Sequence, residues 1–196
     1  MSFSAVILAG GQSSRMGRDK AWLEIGGQPL LARQIHLART VGASEVFTSG
    51  RINEDYSQFG CPVLADNFPA AGPLAGIESA LRRCGDPLLL VLAVDMPMMN
   101  AELLRKIIAG SSGSIGVVPR VAGRVEPLAA VYPQVAARLA TELLAGAPAG
   151  TDFGAPGVGA FVARCRAEGW VKFFELPEEA ATRFVSWNEP KDVAKL

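Results

Sequence analysis

Histidine is almost missing from this chain of 196 residues: His36 stands alone. That inventory nearly excludes a Ser–His–Asp triad or a metal site built on several histidines. Cysteine is scarce as well. Cys61, Cys84 and Cys165 lie far apart with no CxxC pair, a spacing that suits neither a zinc site nor a disulfide framework, so reduced thiols in a cytosol are expected. Net charge is absent, because 19 Lys and Arg balance 19 Asp and Glu. A balanced chain lacks the broad basic field that duplex binding needs, and no nucleic-acid partner is expected. Long hydrophobic runs are absent too. Pro87–Ala93 and its flanks fall short of the roughly 20 residues that span a bilayer. Met1–Leu8 is apolar but carries no basic n-region before Gly10 and Gly11. The expectation is a cytoplasmic protein with no membrane contact.

What is present is core material. The apolar share is 49% against 19% charged, which favours one compact domain over residues 1–196. Phe3–Leu8 is a short β-branched and aliphatic run ending at glycines, the pattern of a buried strand. Pro29 opens a helical pattern in which Leu30, Leu31, Ile35, Ala38 and Val41 recur near the 3.6 period, with Gly42 as its stop. His36 falls within that pattern as a surface or packing residue. Val46–Thr48 and Pro62–Leu64 read as short strands, and Gly76–Arg83 as a short helix. Leu88–Val94 is the most apolar run, uninterrupted and without alternation, as in a strand covered by helices on both faces. Helices are expected at Ala101–Ala109, Gln134–Leu144, Ala160–Ala167 and Pro190–Leu196. Strands are expected at Ile115–Val118, Leu128–Tyr132 and Val171–Leu176. Ala145–Gly159 reads as a connecting loop. Strands alternating with helices point to an α/β fold with a mainly parallel sheet.

The segment LAGGQSSRMGRDK, Leu8 to Lys20, follows the first strand directly. In open α/β sheets, ligands bind at the carboxyl ends of strands. Gly10 and Gly11 let the backbone approach a phosphate closely, and successive amides can form an anion-binding concavity. Arg15 adds a planar donor fork, Lys20 a mobile point charge and Arg18 a third cation. The loop is neither a Walker A motif nor a GxGxxG fingerprint: Gly17 is followed by Arg18 and Asp19, and Lys20 by Ala21. Three cations within ten residues, directly after a buried strand, make it a candidate triphosphate cradle.

Phosphate chemistry usually recruits Mg²⁺, a hard cation that takes oxygen ligands. Asp95 closes the apolar strand before Met96-Pro97, where a carboxylate can hold a metal that bridges phosphate oxygens. Asp66 closes an earlier strand in the same way, although turn chemistry explains an Asp-Asn pair equally well. GPLAGI, Gly72–Ile77, lies between them with small residues at the mouth of a helix. Arg124-Val125-Glu126-Pro127 enters a strand, and a salt-bridged loop is its default reading.

These residues together resemble the molybdenum cofactor guanylyltransferases, the bacterial MobA-type enzymes of the nucleotide-diphospho-sugar transferase superfamily. The match rests on LAGGQSSRMGRDKAWLEIGGQPLL, GPLAGI, the strand ending in Asp95-Met96-Pro97, Glu126-Pro127-Leu128 and FVSWNEPKD (Phe184–Asp192), in that order along essentially the whole chain. The LAGG form and the Glu-Pro-Leu element are similar to the guanylyl branch; related cytidylyltransferases usually carry LAAG. The resemblance implies a Rossmann-like three-layer sandwich of the glycosyltransferase A kind. It implies transfer of GMP from GTP to the phosphate of molybdenum-bound molybdopterin, with release of pyrophosphate and Mg²⁺ as cofactor. Carried across, Leu8, Ala9, Gly10, Gly11 and Lys20 contact GTP, Asp66 contacts the nucleotide, and Asp95 contacts both GTP and Mg²⁺. Arg15, Lys20 and Asp95 are the implied catalytic residues. A protein that delivers or receives the cofactor is an implied partner. Two departures stand out. Thr48-Ser49-Gly50 lies where some members place an Asn, and Ser186 and Glu189 replace the Asn and Thr of a motif commonly reading FxNxNTPE, with Asn188 kept. Two other readings stay open: a cytidylyl- or sugar-1-phosphate nucleotidyltransferase, and a nucleotide-binding regulator without chemistry.

Overall fold

A computed structural model describes residues 1–10, 19–51, 54–146 and 157–187. The chain begins with β1 (Ser4–Leu8), every residue of which is buried. A 3-10 turn (Lys20–Trp22) leads to a small hairpin of β2 (Glu24–Ile25) and β3 (Gln28–Pro29), then to α1 (Leu30–Thr40). Gly26 and Gly27 turn this hairpin with φ of 57° and 76°, a region that glycine enters without steric cost. Next come β4 (Val46–Ser49), β5 (Val63–Leu64), α2 (Pro73–Arg83), β6 (Leu88–Ala93) and α3 (Ala101–Gly110). The second half holds β7 (Gly116–Val121), β8 (Arg124–Val125), β9 (Ala129–Pro133), α4 (Ala137–Ala145), α5 (Val158–Ala167) and β10 (Val171–Leu176).

One sheet runs in the order β10-β7-β9-β6-β1-β4-β5, with β8 paired to β7. β1 lies parallel to both β4 and β6, and β4 parallel to β5. β9 runs against both β6 and β7, whereas β10 is parallel to β7. The fold is therefore α/β with a mainly parallel sheet, as expected, and β9 is the long strand that reverses direction. Its residues point to opposite faces with period two. In β6, Leu88, Leu90 and Leu92 enter a core shared with α1 and α3, while Leu89 and Val91 enter one shared with α2, α4 and α5. Both faces are dry, which is why LLLVLA shows no polar alternation. Each such leucine contributes about 2 kcal/mol by leaving water. The arrangement is a three-layer helix–sheet–helix sandwich.

Several element boundaries differ by a residue or two from the sequence expectation, and three of the differences bear on the architecture. α2 starts at Pro73, so Gly76 lies inside the helix and not at its mouth; Gly72 precedes it with φ 76°. Gln134–Leu144 divides into a 3-10 turn (Gln134–Ala136) and α4. The strand expected at Ile115–Val118 starts one residue later and runs on to Val121, where its end pairs with β8. The two short hairpins, β2–β3 and β7–β8, had no strand expectation on both arms. The helix expected at Pro190–Leu196 lies outside the described residues.

Candidate active site

The chain leaves β1, builds α1 and pairs β4 on one side, then crosses α2 to pair β6 on the other side of β1. Loops that leave adjacent parallel strands in opposite directions open a crevice at their carboxyl ends. Leu8, Asp66 and Asp95 all stand at this edge: Leu8 ends β1, Asp66 lies two residues past β5, and Asp95 two residues past β6. Gly11 and Arg15, the remaining members of the expected cradle, lie outside the described residues, as does Arg18.

Lys20 crosses the crevice. Its Nζ donates to Asp95 Oδ2 at 2.7 Å, and both side chains keep a fraction of their surface open, 16% and 18%. Two groups 75 residues apart in sequence thus share one point of the site. The preceding residue explains where Lys20 stands. Asp19 is buried, and its carboxylate caps the 3-10 turn by accepting from the Ala21 amide at 2.9 Å and from the Tyr56 hydroxyl at 2.5 Å. Tyr56 is buried, stacks on Trp22 with ring centroids 6.3 Å apart, and accepts from the Arg51 amide at 3.3 Å. Burial, followed by the hydrogen bond to Asp19, pushes the Tyr56 hydroxyl well above its ordinary range. Its ring fills the space a side chain at position 50 would need: a Cβ on Gly50 would come within 2.2 Å of Tyr56 Cε2.

The loop that carries Asp95 is held from beneath. Gln34 of α1 is buried and donates from Nε2 to the Met96 carbonyl at 2.8 Å, while Arg33 Nε reaches the Pro97 carbonyl at 3.2 Å. The Trp187 amide donates to the Asp95 carbonyl at 2.9 Å, and Arg183 Nη1 to that of Met98 at 3.2 Å. The described part of the C-terminal motif, Phe184–Trp187, therefore braces the Asp95 loop, with Phe184 and Trp187 both buried. β9 arrives here as well, since the Ala93 amide donates to the Leu128 carbonyl at 2.8 Å. Just ahead of it, Arg124 Nε pairs with the buried Glu126 carboxylate at 2.6 Å, the salt-bridged loop that the sequence indicated.

Asp66 is placed separately from the Lys20–Asp95 pair. It is partly buried, and Ser49 Oγ donates to its Oδ1 at 3.1 Å. Burial raises its pKa above the ordinary carboxylate value; the Ser49 hydrogen bond opposes this and the charge of Glu78 adds to it. Its neighbour Asn67 ties the loop to α2 by donating two hydrogen bonds: the amide to Ser79 Oγ at 3.2 Å and Nδ2 to Glu78 Oε2 at 2.9 Å. Glu78 also accepts from Arg82 and from Thr141 Oγ1 of α4. The amides of Ala9 and Gly10 both point at the Ser49 carbonyl, at 2.7 and 3.0 Å. Both amides are thereby engaged within the protein. Sequence reading had assigned no part to Ser49, Gln34 or Tyr56. Their partners are 17 to 62 residues away, and no local spacing signals such contacts.

A family profile described as the MobA-like NTP transferase domain matches residues 5–154. The chain belongs to that family. Relatives of the family point the same way. A protein of Opitutus terrae named "Probable molybdenum cofactor guanylyltransferase" is 36% identical over 194 residues, which cover 97% of this chain and 93% of the relative. A molybdenum cofactor guanylyltransferase of Xanthomonas euvesicatoria is 43% identical over 110 residues, covering 56% of this chain and 55% of that protein. Among solved structures, a nucleotidyl transferase from Methanothermobacter thermautotroptrophicus superposes with a TM-score of 0.76 at 18% identity, over 99% of this chain and 95% of that one. The fold is thus that of a nucleotidyltransferase, and the family profile spans the strands that carry Leu8, Asp66 and Asp95.

Proposed function

We propose that this protein transfers GMP from GTP to the phosphate of molybdenum-bound molybdopterin, forming the guanine dinucleotide and releasing pyrophosphate. The observation that carries the reading is the Lys20–Asp95 pair, 2.7 Å apart across the carboxyl edge of β1 and β6, in a chain whose relatives bear the guanylyltransferase name. An oxygen of the pterin phosphate attacks the α-phosphorus of GTP, and the bond to the β-phosphate oxygen breaks. No protein nucleophile is needed. Phosphoryl transfer of this kind depends on positioning and on neutralising charge. The Lys20 ammonium would meet the negative charge that accumulates on the leaving pyrophosphate, and Arg15 is assigned the same part.

Among the described residues no group of three or more His, Cys, Asp or Glu side chains gathers to hold a metal alone. Mg²⁺ enters such sites on one or two carboxylates together with substrate phosphates and water. Asp95 is the carboxylate that would hold it, and the ion would supply charge neutralisation on the phosphate oxygens. Lys20 would then move its hydrogen bond from Asp95 toward those oxygens. Asp66 would accept hydrogen bonds from the sugar or base of the nucleotide. The protein is expected to act in the cytoplasm and to exchange the cofactor with protein partners. Among the described residues no helix is long and apolar enough to cross a membrane.

Thermal stability measured with Mg²⁺ and each of the four nucleoside triphosphates tests the base assignment, because a ligand that binds only the folded state raises the midpoint. GTP is expected to give the largest rise. Pyrophosphate release that requires both GTP and molybdopterin tests the acceptor. Release with a sugar phosphate or with CTP as the preferred substrate would replace this reading by the cytidylyl or sugar-nucleotide alternative.

A further inference from the structure

One residue at the end of β4 makes three separate connections into the site. The Ser49 carbonyl accepts the amides of Ala9 and Gly10, at 2.7 and 3.0 Å, and so fixes the first residues of the glycine-rich loop. Its hydroxyl donates to Asp66 Oδ1 at 3.1 Å. The same hydroxyl occupies the flank of α2: a Cβ on Gly76 would fall 2.3 Å from Ser49 Oγ and 2.9 Å from Leu8 Cδ2. Glycine at position 76 is what lets α2 come this close. Ser49 is 3% exposed, so these contacts are made with little competition from water.

The carbonyl contacts belong to the backbone and any residue at 49 can supply them. The hydroxyl does not. It reaches a carboxylate that burial and a neighbouring charge both disfavour. From α2, Glu78 faces it with a like charge, and of the two cations on that helix Arg82 is engaged with Glu78 and Arg83 with Glu45. Thr141 of α4 and Asn67 likewise direct their donors at Glu78. Ser49 is therefore the donor from β4 that acts on Asp66 itself. A hydrogen bond to a charged, partly buried acceptor is stronger than one between neutral groups.

We propose that Ser49 is a positioning residue for the nucleotide: its hydroxyl holds the Asp66 carboxylate where that group accepts hydrogen bonds from the sugar or base. The proposal rests on the assignment of Asp66 as a nucleotide contact. It also gives Thr48-Ser49-Gly50 a place in the site. An Asn at position 50 would meet the Tyr56 ring, and in this chain the β4 end acts through the serine.

The test is a double-mutant cycle on Ser49→Ala, Asp66→Asn and the double variant, with wild type alongside. GTP affinity is measured by calorimetry without acceptor, and kcat and KM are followed from pH 4 to 8. Ser49→Ala is expected to weaken GTP binding about tenfold, the usual scale for losing a hydrogen bond to a charged group, while kcat changes less than about twofold. Asp66 loses the interaction that opposes its raised pKa, so the acid limb of kcat/KM moves to higher pH. In the Asp66→Asn background, Ser49→Ala is expected to add less than about twofold, because the interaction is already altered. Equal losses in both backgrounds, or an acid limb that stays in place, would overturn the proposal and leave Ser49 a packing residue. The pH profile reads folded molecules alone, so it decides the matter even if Ser49→Ala lowers stability. A wild-type protein that binds CTP in place of GTP would overturn the guanylyl reading alone, and the same cycle on CTP would still decide Ser49.

Discussion

Two aspartates at opposite ends of the sheet each receive a serine hydroxyl, yet their titration is pushed in opposite directions. Asp86 precedes β6 at the amino edge and accepts from Ser44 Oγ and from Ser4 Oγ, the latter at 2.8 Å. These bonds, with little opposing burial, hold its carboxyl below the ordinary value of 3.8. Asp66 follows β5 at the carboxyl edge with Ser49 as donor, and burial holds its carboxyl above that value. The first carboxylate is satisfied by the protein and ties β1, β4 and β6 together at their starts. The second is partly desolvated and, among the described residues, accepts from the Ser49 side chain. Donors from a bound nucleotide would complete it. The amino edge is built for folding, and the carboxyl edge keeps polar groups incompletely matched, as functional sites commonly do.

Substitutions can break this contrast or sharpen it. The largest effect is expected from Asp95→Ala or Lys20→Ala. Loss of a charge contact on transferring phosphate commonly costs about 3 kcal/mol, or about two decades in rate. Pyrophosphate release should fall by that much while the unfolding midpoint stays close to wild type; a variant that keeps most of its turnover would remove the site from this edge. Next comes Gly76→Ala. The added methyl meets Ser49 Oγ and Leu8 Cδ2, and crowding of this kind costs about 1–3 kcal/mol, partly offset by alanine's better helix propensity. Urea unfolding measures it, and GTP affinity should fall in parallel because Ser49 is displaced.

Asp66→Asn should separate the two properties. GTP binding is expected to drop about tenfold. Stability at pH 7 should hold or rise, because a carboxyl whose folded pKa is raised destabilises the folded state wherever it is ionised, and that cost is relieved as pH falls through the raised value. A clear loss of stability at pH 7 would contradict the environment assigned to Asp66. The smallest effect belongs to Asp86→Asn. A carboxyl with a depressed folded pKa stabilises above its unfolded value, near 3.8, and the contribution disappears as pH falls through the folded value. Because the group is largely exposed, solvent screening keeps the loss at neutral pH below ~1 kcal/mol. Wild type and variant should converge in stability well below pH 3.8, with transfer activity equal throughout.

The contrast also marks what the sequence could disclose. β1 and β6 were legible because dry strands leave apolar runs bounded by turn residues. α1 and α3 were legible from their 3.6 period. The hairpin of β2 and β3 was not, since strands of two residues carry no periodicity, although the Gly26-Gly27 pair was a usable signal. Nothing local distinguishes β9 from its parallel neighbours, because its direction is set by pairing with β6 and β7. At the site, Lys20 was visible as a cation in the glycine-rich segment, and Asp66 and Asp95 as charges at strand ends. What holds them was hidden. Asp19 with Tyr56, Gln34 beneath Met96, and Ser49 against Asp66 and Gly76 are contacts between distant segments that only the folded chain brings together.

The central claim is that the carboxyl edge of β1, β5 and β6 binds GTP and transfers its GMP. It is tested most directly by supplying GTP labelled at the α-phosphate with Mg²⁺ and molybdenum-bound molybdopterin, and following the label. With wild type and with Asp86→Asn, the label should appear in the pterin dinucleotide with one pyrophosphate released per transfer, and with Asp95→Ala it should remain in GTP. Label that stays in GTP with the wild-type protein, or that moves equally well with Asp95→Ala, would contradict the account.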